Sequence, residues 1–141
     1  MIIKQLSVFL ENKSGRLSEV AAVLGNAGIN MTAFSIADSS DFGILRVIVS
    51  DPDKALKILK ENDFSVNLTD VICLSCPNEA GSMAKALTIL SAEQVSIEYM
   101  YAFSMGDSAN IVIRPANVQK CIEVLQRHEL ELLKSSDLYK I

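Results

Sequence analysis

The stretch Asn12-Lys13-Ser14-Gly15-Arg16-Leu17 is met again 66 residues later as Asn78-Glu79-Ala80-Gly81-Ser82-Met83, with the Asn-x-x-Gly spacing intact. Carried outward without a gap, the same offset pairs Leu24 with Leu90, Asp41 with Asp107, Lys54 with Lys120 and Leu59 with Leu125. Apolar character is kept more widely, as in Leu6/Ile72, Val8/Leu74, Ile29/Val95, Leu45/Ile111 and Val47/Ile113. The chain therefore reads as two copies of one unit, 1–68 and 69–141, with no linker between them.

Each copy divides the same way. Ile2 to Leu10 is β-rich and runs into the first turn; Leu17, Val20, Ala21 and Leu24 then recur at helical spacing, and Gly28 is placed to stop the helix in a left-handed cap. Ile29–Ala37 and Gly43–Val49 form a hairpin. Asp51-Pro52 starts a second helix, because Asp accepts orphan N–H bonds and Pro needs none at the first helical position. Ala55, Leu56 and Leu59 are its buried stripe, and Phe64–Leu68 a last strand. The second copy repeats this with strands at Val71–Cys76, Val95–Phe103, Ala109–Arg114 and, weakly, Leu130–Leu133. Its helices carry Met83, Leu87 and Leu90, then Val118, Cys121, Ile122 and Leu125. The order βαββαβ predicts an α+β fold of two ferredoxin-like units, each an antiparallel sheet with its helices on one face.

Composition narrows the function. Half of the 141 residues are apolar and 21% are charged, a globular balance. The net charge of −4 argues against nucleic acid or an anionic membrane as partner, since both require a basic footprint. No apolar run approaches the ~18 residues of a membrane span, and no secretory signal is visible at Met1–Gln5. Three cysteines are too few for a disulfide framework. These features lead to the expectation of a cytoplasmic protein. A mean hydropathy of +0.29 fits apolar surface spent on contact between the units and on a homodimer.

The first turn, its helix and the step Gly28-Ile29-Asn30 together resemble the ACT domain, a family of small-molecule-sensing regulatory modules with this fold that usually bind amino acids. Ser14 stands where the family often has Pro, and Leu10 where some amino-acid-binding members carry a polar residue. The second copy keeps Asn78 and Gly81 but reads Gln94-Val95-Ser96 in place of Gly-Ile-Asn. The resemblance implies a ligand seat at Asn12, Gly15, Arg16, Leu17 and Asn30, and at Asn78, Gly81, Ser82, Met83 and Ser96 in the second copy. Its chemistry is physical: a helix N-terminus offers unpaired N–H groups and partial positive charge to a carboxylate. Side-chain amides of Asn can serve both ends of a zwitterion. If the turn of one unit faces the second strand of the other, Asn78 and Gly81 meet Asn30, whereas Asn12 and Gly15 meet Ser96. The two sites would then be unequal. Gly15→Asp is expected to abolish amino-acid binding without unfolding the chain, unless Gly15 requires a positive φ.

Other constellations read more simply. Cys73-Leu74-Ser75-Cys76 suggests a ferredoxin-like metal carrier, but the pair precedes the helix and lacks a second pair, so buried strand cysteines fit better. His128, the single histidine, ends the last helix without a nucleophile or second His, so no catalytic residue, metal site or cofactor is assigned. Tyr99, Tyr101 and Phe103 share a strand face suited to packing or to a pocket wall. Lys54, Lys57 and Lys60 read as a solvated helix face. The resulting expectation is a non-enzymatic protein sensing a free amino acid between its two units. The alternative is a regulatory subunit of an amino-acid biosynthetic enzyme, resembling the small chain of acetolactate synthase.

Overall fold

The computed structural model describes residues 1–11, 13–38 and 41–140, without the Asp38 side chain. Among the described residues it contains β1 (Ile3–Glu11), α1 (Arg16–Asn26), β2 (Met31–Asp38), β3 (Phe42–Val49), α2 (Pro52–Glu61), β4 (Ser65–Pro77), α3 (Ser82–Ala92), β5 (Ile97–Met105), β6 (Ser108–Pro115), α4 (Val118–Arg127), β7 (Glu131–Leu132) and α5 (Ser135–Tyr139). These elements form two βαββαβ units. One comprises Lys4–Thr69 with the C-terminal stretch from Ser136; the other comprises Asp70–Ser135 with Met1–Ile3.

In the first unit the strand order is β2-β3-β1, with the beginning of β4 beside β1. The β1–β3 and β2–β3 pairs are antiparallel, for example Val8 opposite Leu45 and Phe34 opposite Val47. Leu6, Val8, Leu45 and Val47 pack on Val20 and Leu24 of α1 and on Ala55 and Leu59 of α2. The stripe on α1 is rotated from the expected one. Val23 and Ala27 join Val20 and Leu24, whereas Leu17 is 42% exposed and Ala21 is exposed. Steps of three and four residues run equally well from either set, and contact with the sheet selects one of them.

In the second unit β6 pairs antiparallel with both β4 and β5, and the two-residue β7 pairs with β4. Ile72, Leu74, Ile111 and Ile113 pack on Ala86, Leu90, Cys121 and Leu125. The expected break between Leu68 and Val71 is absent, since β4 runs unbroken for 13 residues. Nothing there turns the chain, because Thr69-Asp70 contains neither Gly nor Pro. The short helix α5 was not expected; Leu138 is fully buried, and the Tyr139 hydroxyl accepts a 2.9 Å bond from the Lys4 N–H.

The capping at Asp51 is as read. Pro52 is the first helical residue, and Asp51 Oδ1 accepts from the Lys54 N–H at 3.2 Å. Lys54 does more than face solvent: its Nζ donates to the Ala27 carbonyl at 3.0 Å, satisfying the end of α1. Cys73 and Cys76 are three residues apart on β4 and so point to opposite faces of the sheet, which removes the metal-carrier reading. Burial pushes the Cys73 thiol up to about 12 and that of Cys121 to about 11. Two measurements check this account. Asp51→Ala should lower unfolding free energy by about 1 kcal/mol in urea titration. A thiol-reagent titration at pH 8 should give one fast equivalent, from half-buried Cys76, and two more only after denaturation.

Candidate functional site

Both Asn-x-x-Gly turns end in a glycine with left-handed backbone, φ 91° at Gly15 and 93° at Gly81. A Cβ at either place would meet nothing within 4 Å, so the conformation and not crowding requires glycine. Each glycine is the residue preceding its helix, and it supplies no side chain to the first turn. By contrast, α2 and α4 are capped by the Asp51 and Asn117 side chains. Among the described residues, Leu17 and Ser18 in α1, and Met83 and Ala84 in α3, therefore present N–H groups without a capping side chain, at the positive end of a helix dipole.

In the second unit this turn opens into a cavity of about 340 Å³. Its floor is apolar, with Leu74, Ala86 and Leu130, and Cys76 beside them. Its rim is polar, with Glu79, Ser82 and Lys85. The volume lies at the lower end of the range for small-molecule pockets, about 300–1,000 Å³. An anionic group can sit on the α3 N-terminus near Lys85, a cationic group near Glu79, and an apolar tail over the floor. Those polar groups are consistent with a zwitterion, and no charged side chain stands on the floor.

The first unit has a different arrangement at the same turn. Arg16 occupies the Ser82 position; its guanidinium lies 4.4 Å over the Phe64 ring and pairs with Glu19 at 2.7 Å. Phe64 and Glu19 stand where the second copy has Leu130 and Lys85. The Arg16 side chain is only 20% exposed, and its Nε is buried with no hydrogen-bond partner among the described residues. A smaller hollow beside it, about 130 Å³ and below the usual ligand range, lies between Arg16, Leu17, Lys13, Leu10 and Ile36 and is not lined by Val8, Val20 or Phe64. Glu11 and Lys13 flank it 3.1 Å apart, and the Lys13 hydrogen bond and charge hold the Glu11 carboxyl below the usual carboxylate range.

Of the other expected residues, Asn12 lies outside the described residues. Asn78 is exposed in its turn, and its N–H donates to the Asp107 carbonyl at 2.8 Å. Met83 packs against the second core. Asn30 is at the far end of α1 from Gly15, about 16 Å away for an 11-residue helix. Its backbone exchanges bonds with Ser50, at 3.0 Å to the hydroxyl and 3.1 Å from the Ser50 N–H. Ser96 is likewise at the far end of α3, its carbonyl accepting from Ala116. Within its own unit, therefore, neither residue joins the turn. Among the described residues, no group of three or more His, Cys, Asp and Glu is placed to hold a metal ion.

Glu79, Lys85 and Leu130 were missed as rim and floor. The offset of 66 itself carried the signal, because Lys13/Glu79 and Glu19/Lys85 are charge reversals beside the glycine.

The whole chain, residues 1–141, matches the family described as the ACT domain pair. The crystal structure of protein BT0572 from Bacteroides thetaiotaomicron is similar over 100% of this chain and 98% of that one, at 61% identity and a TM-score of 0.97. The ligand-free regulatory subunit of aspartate kinase from Thermus thermophilus shares the fold at 13% identity and TM-score 0.64, over 89% of this chain and 93% of that one. The Thermus flavus regulatory subunit does so at 15% identity and TM-score 0.61, over 89% and 90%. A search of curated proteins found no match. No helix among the described residues is long and apolar enough to cross a membrane. The chain belongs to the ACT family, as an ACT domain pair.

Proposed function

We propose that this ACT pair, with copies 1–68 and 69–141, is a non-enzymatic regulatory module that binds a free amino acid with an apolar side chain at the turn of its second copy. The observation that carries the reading is the cavity of about 340 Å³ at an uncapped helix N-terminus, polar at the rim and apolar at the floor. The α-carboxylate would sit on the Met83 and Ala84 N–H groups with Lys85 beside it, and the ammonium near Glu79. The aliphatic side chain would cover Leu74, Ala86 and Leu130. Asn30 and Ser96 enter this reading only as residues supplied from across another ACT unit.

The fold neighbours favour a partner. Two of them are regulatory subunits of aspartate kinase, which supports docking of this module on an amino-acid biosynthetic enzyme, with ligand occupancy as the signal. A cytoplasmic homodimer belongs to the same reading. Edge strand β2 carries Phe34, 60% exposed, and Ile36, which a second copy would cover.

Calorimetric titration with L-leucine, L-valine and L-methionine tests the seat, with L-aspartate and L-lysine as controls. Binding should be confined to the apolar set. Gly81→Asp should weaken it at least tenfold, because a fixed carboxylate then stands at the helix N-terminus. Its positive φ adds a stability cost of about 1–3 kcal/mol, so circular dichroism must show a folded variant. Equal affinity in folded Gly81→Asp would exclude this turn as the seat.

A further inference from the structure

The two turns share a backbone and differ in what fills the space beside it. Under the offset of 66, the floor of the open cavity, Leu74, Ala86 and Leu130, corresponds to Val8, Val20 and Phe64. All three first-copy residues are buried, so an equivalent apolar floor exists there. Over it lies the Arg16 guanidinium, 4.4 Å from the Phe64 ring centroid and held on its other edge by Glu19. Where Arg16 projects, the second copy has Ser82, too short to reach Leu130's side of the cavity, and Lys85 in place of Glu19, which could not hold an arginine there.

We propose that Arg16 is an internal plug, occupying in the first unit the place that a ligand takes in the second. It is thus the residue that limits the pair to one ligand per chain. This rests on reading the glycine turn as the ligand seat. Three features of the plug resemble a ligand's. Its flat cationic head covers the aromatic floor, its pair with Glu19 is made within the first turn of α1, and its buried Nε has no acceptor among the described residues. The last of these marks a side chain placed for filling and not for a complete set of hydrogen bonds. The charge of Arg16 is cancelled locally by Glu19, so the pair adds no net charge to the first turn, where the second copy has Lys85; Glu11 and Lys13 beside it likewise pair with each other at 3.1 Å.

The test exchanges the residues of the two copies in the full chain, with L-leucine as the calorimetric probe and circular dichroism as the folding control. The parent protein should bind one leucine per chain. Arg16→Ser should bind two, and Ser82→Arg combined with Lys85→Glu, which supplies the partner as well as the plug, should bind at least tenfold more weakly than Lys85→Glu alone. A folded Arg16→Ser that still binds one leucine overturns the plug, as does a double variant with the affinity of Lys85→Glu. Should Arg16→Ser fail to fold, the double variant, changed at one half-exposed and one exposed position, decides alone. Absence of binding in both the parent and Arg16→Ser removes the seat itself and the plug with it. Parental binding with unchanged stoichiometry in Arg16→Ser removes only the plug.

Discussion

The left-handed glycine before α1 and α3 is the constraint on which the rest depends. A residue with positive φ at that point turns the chain from strand to helix within a few residues. Because it is glycine, the helix begins without a side chain to satisfy its first N–H groups. An Asp or Asn cap, as at α2 and α4, would take one of those N–H groups with the chain's own side chain. The two kinds of helix start thus divide the work within each unit. Capped helices close the βαββαβ core, and uncapped ones present a polar end next to an apolar sheet.

Much of the fold was legible because it rests on periodicity and turn chemistry. Gly28 with φ 73°, the Asp51-Pro52 start and both hairpins need only local rules. What was not legible depends on long-range contact. Leu17 fits the helical repeat yet is exposed, since the sheet lies against Val20 and Leu24. The unbroken β4 was hidden because a run of polar residues, Asn67, Thr69 and Asp70, imitates a strand end. The crossing of the C-terminal stretch to the Lys4–Thr69 unit, with Leu138 buried, leaves no periodic trace in five helical residues.

The candidate site was legible in its backbone and not in its selectivity. The two glycines could be named from spacing alone, as could the helix N-termini behind them. Which turn stands open depends on side chains that come together only in three dimensions. Arg16 and Phe64 are far apart in sequence and stack at 4.4 Å; Ser82 and Leu130 are equally far apart and leave a cavity between them.

Electrostatics gives the same division independently of volume. In α1 the first turn carries Glu19 paired with Arg16, so it adds no net charge at the positive end of the helix dipole. In α3 the first turn holds no acid, and Lys85 stands at the Glu19 position. A cation there opposes the dipole by about 0.3–1 kcal/mol, a cost that α1 does not carry. An anion seated on the Met83 and Ala84 N–H groups reverses that balance, since it meets the dipole and Lys85 together. On the proposed reading an anion in the turn compensates the charge in α3, whereas in α1 Arg16 and Glu19 balance each other.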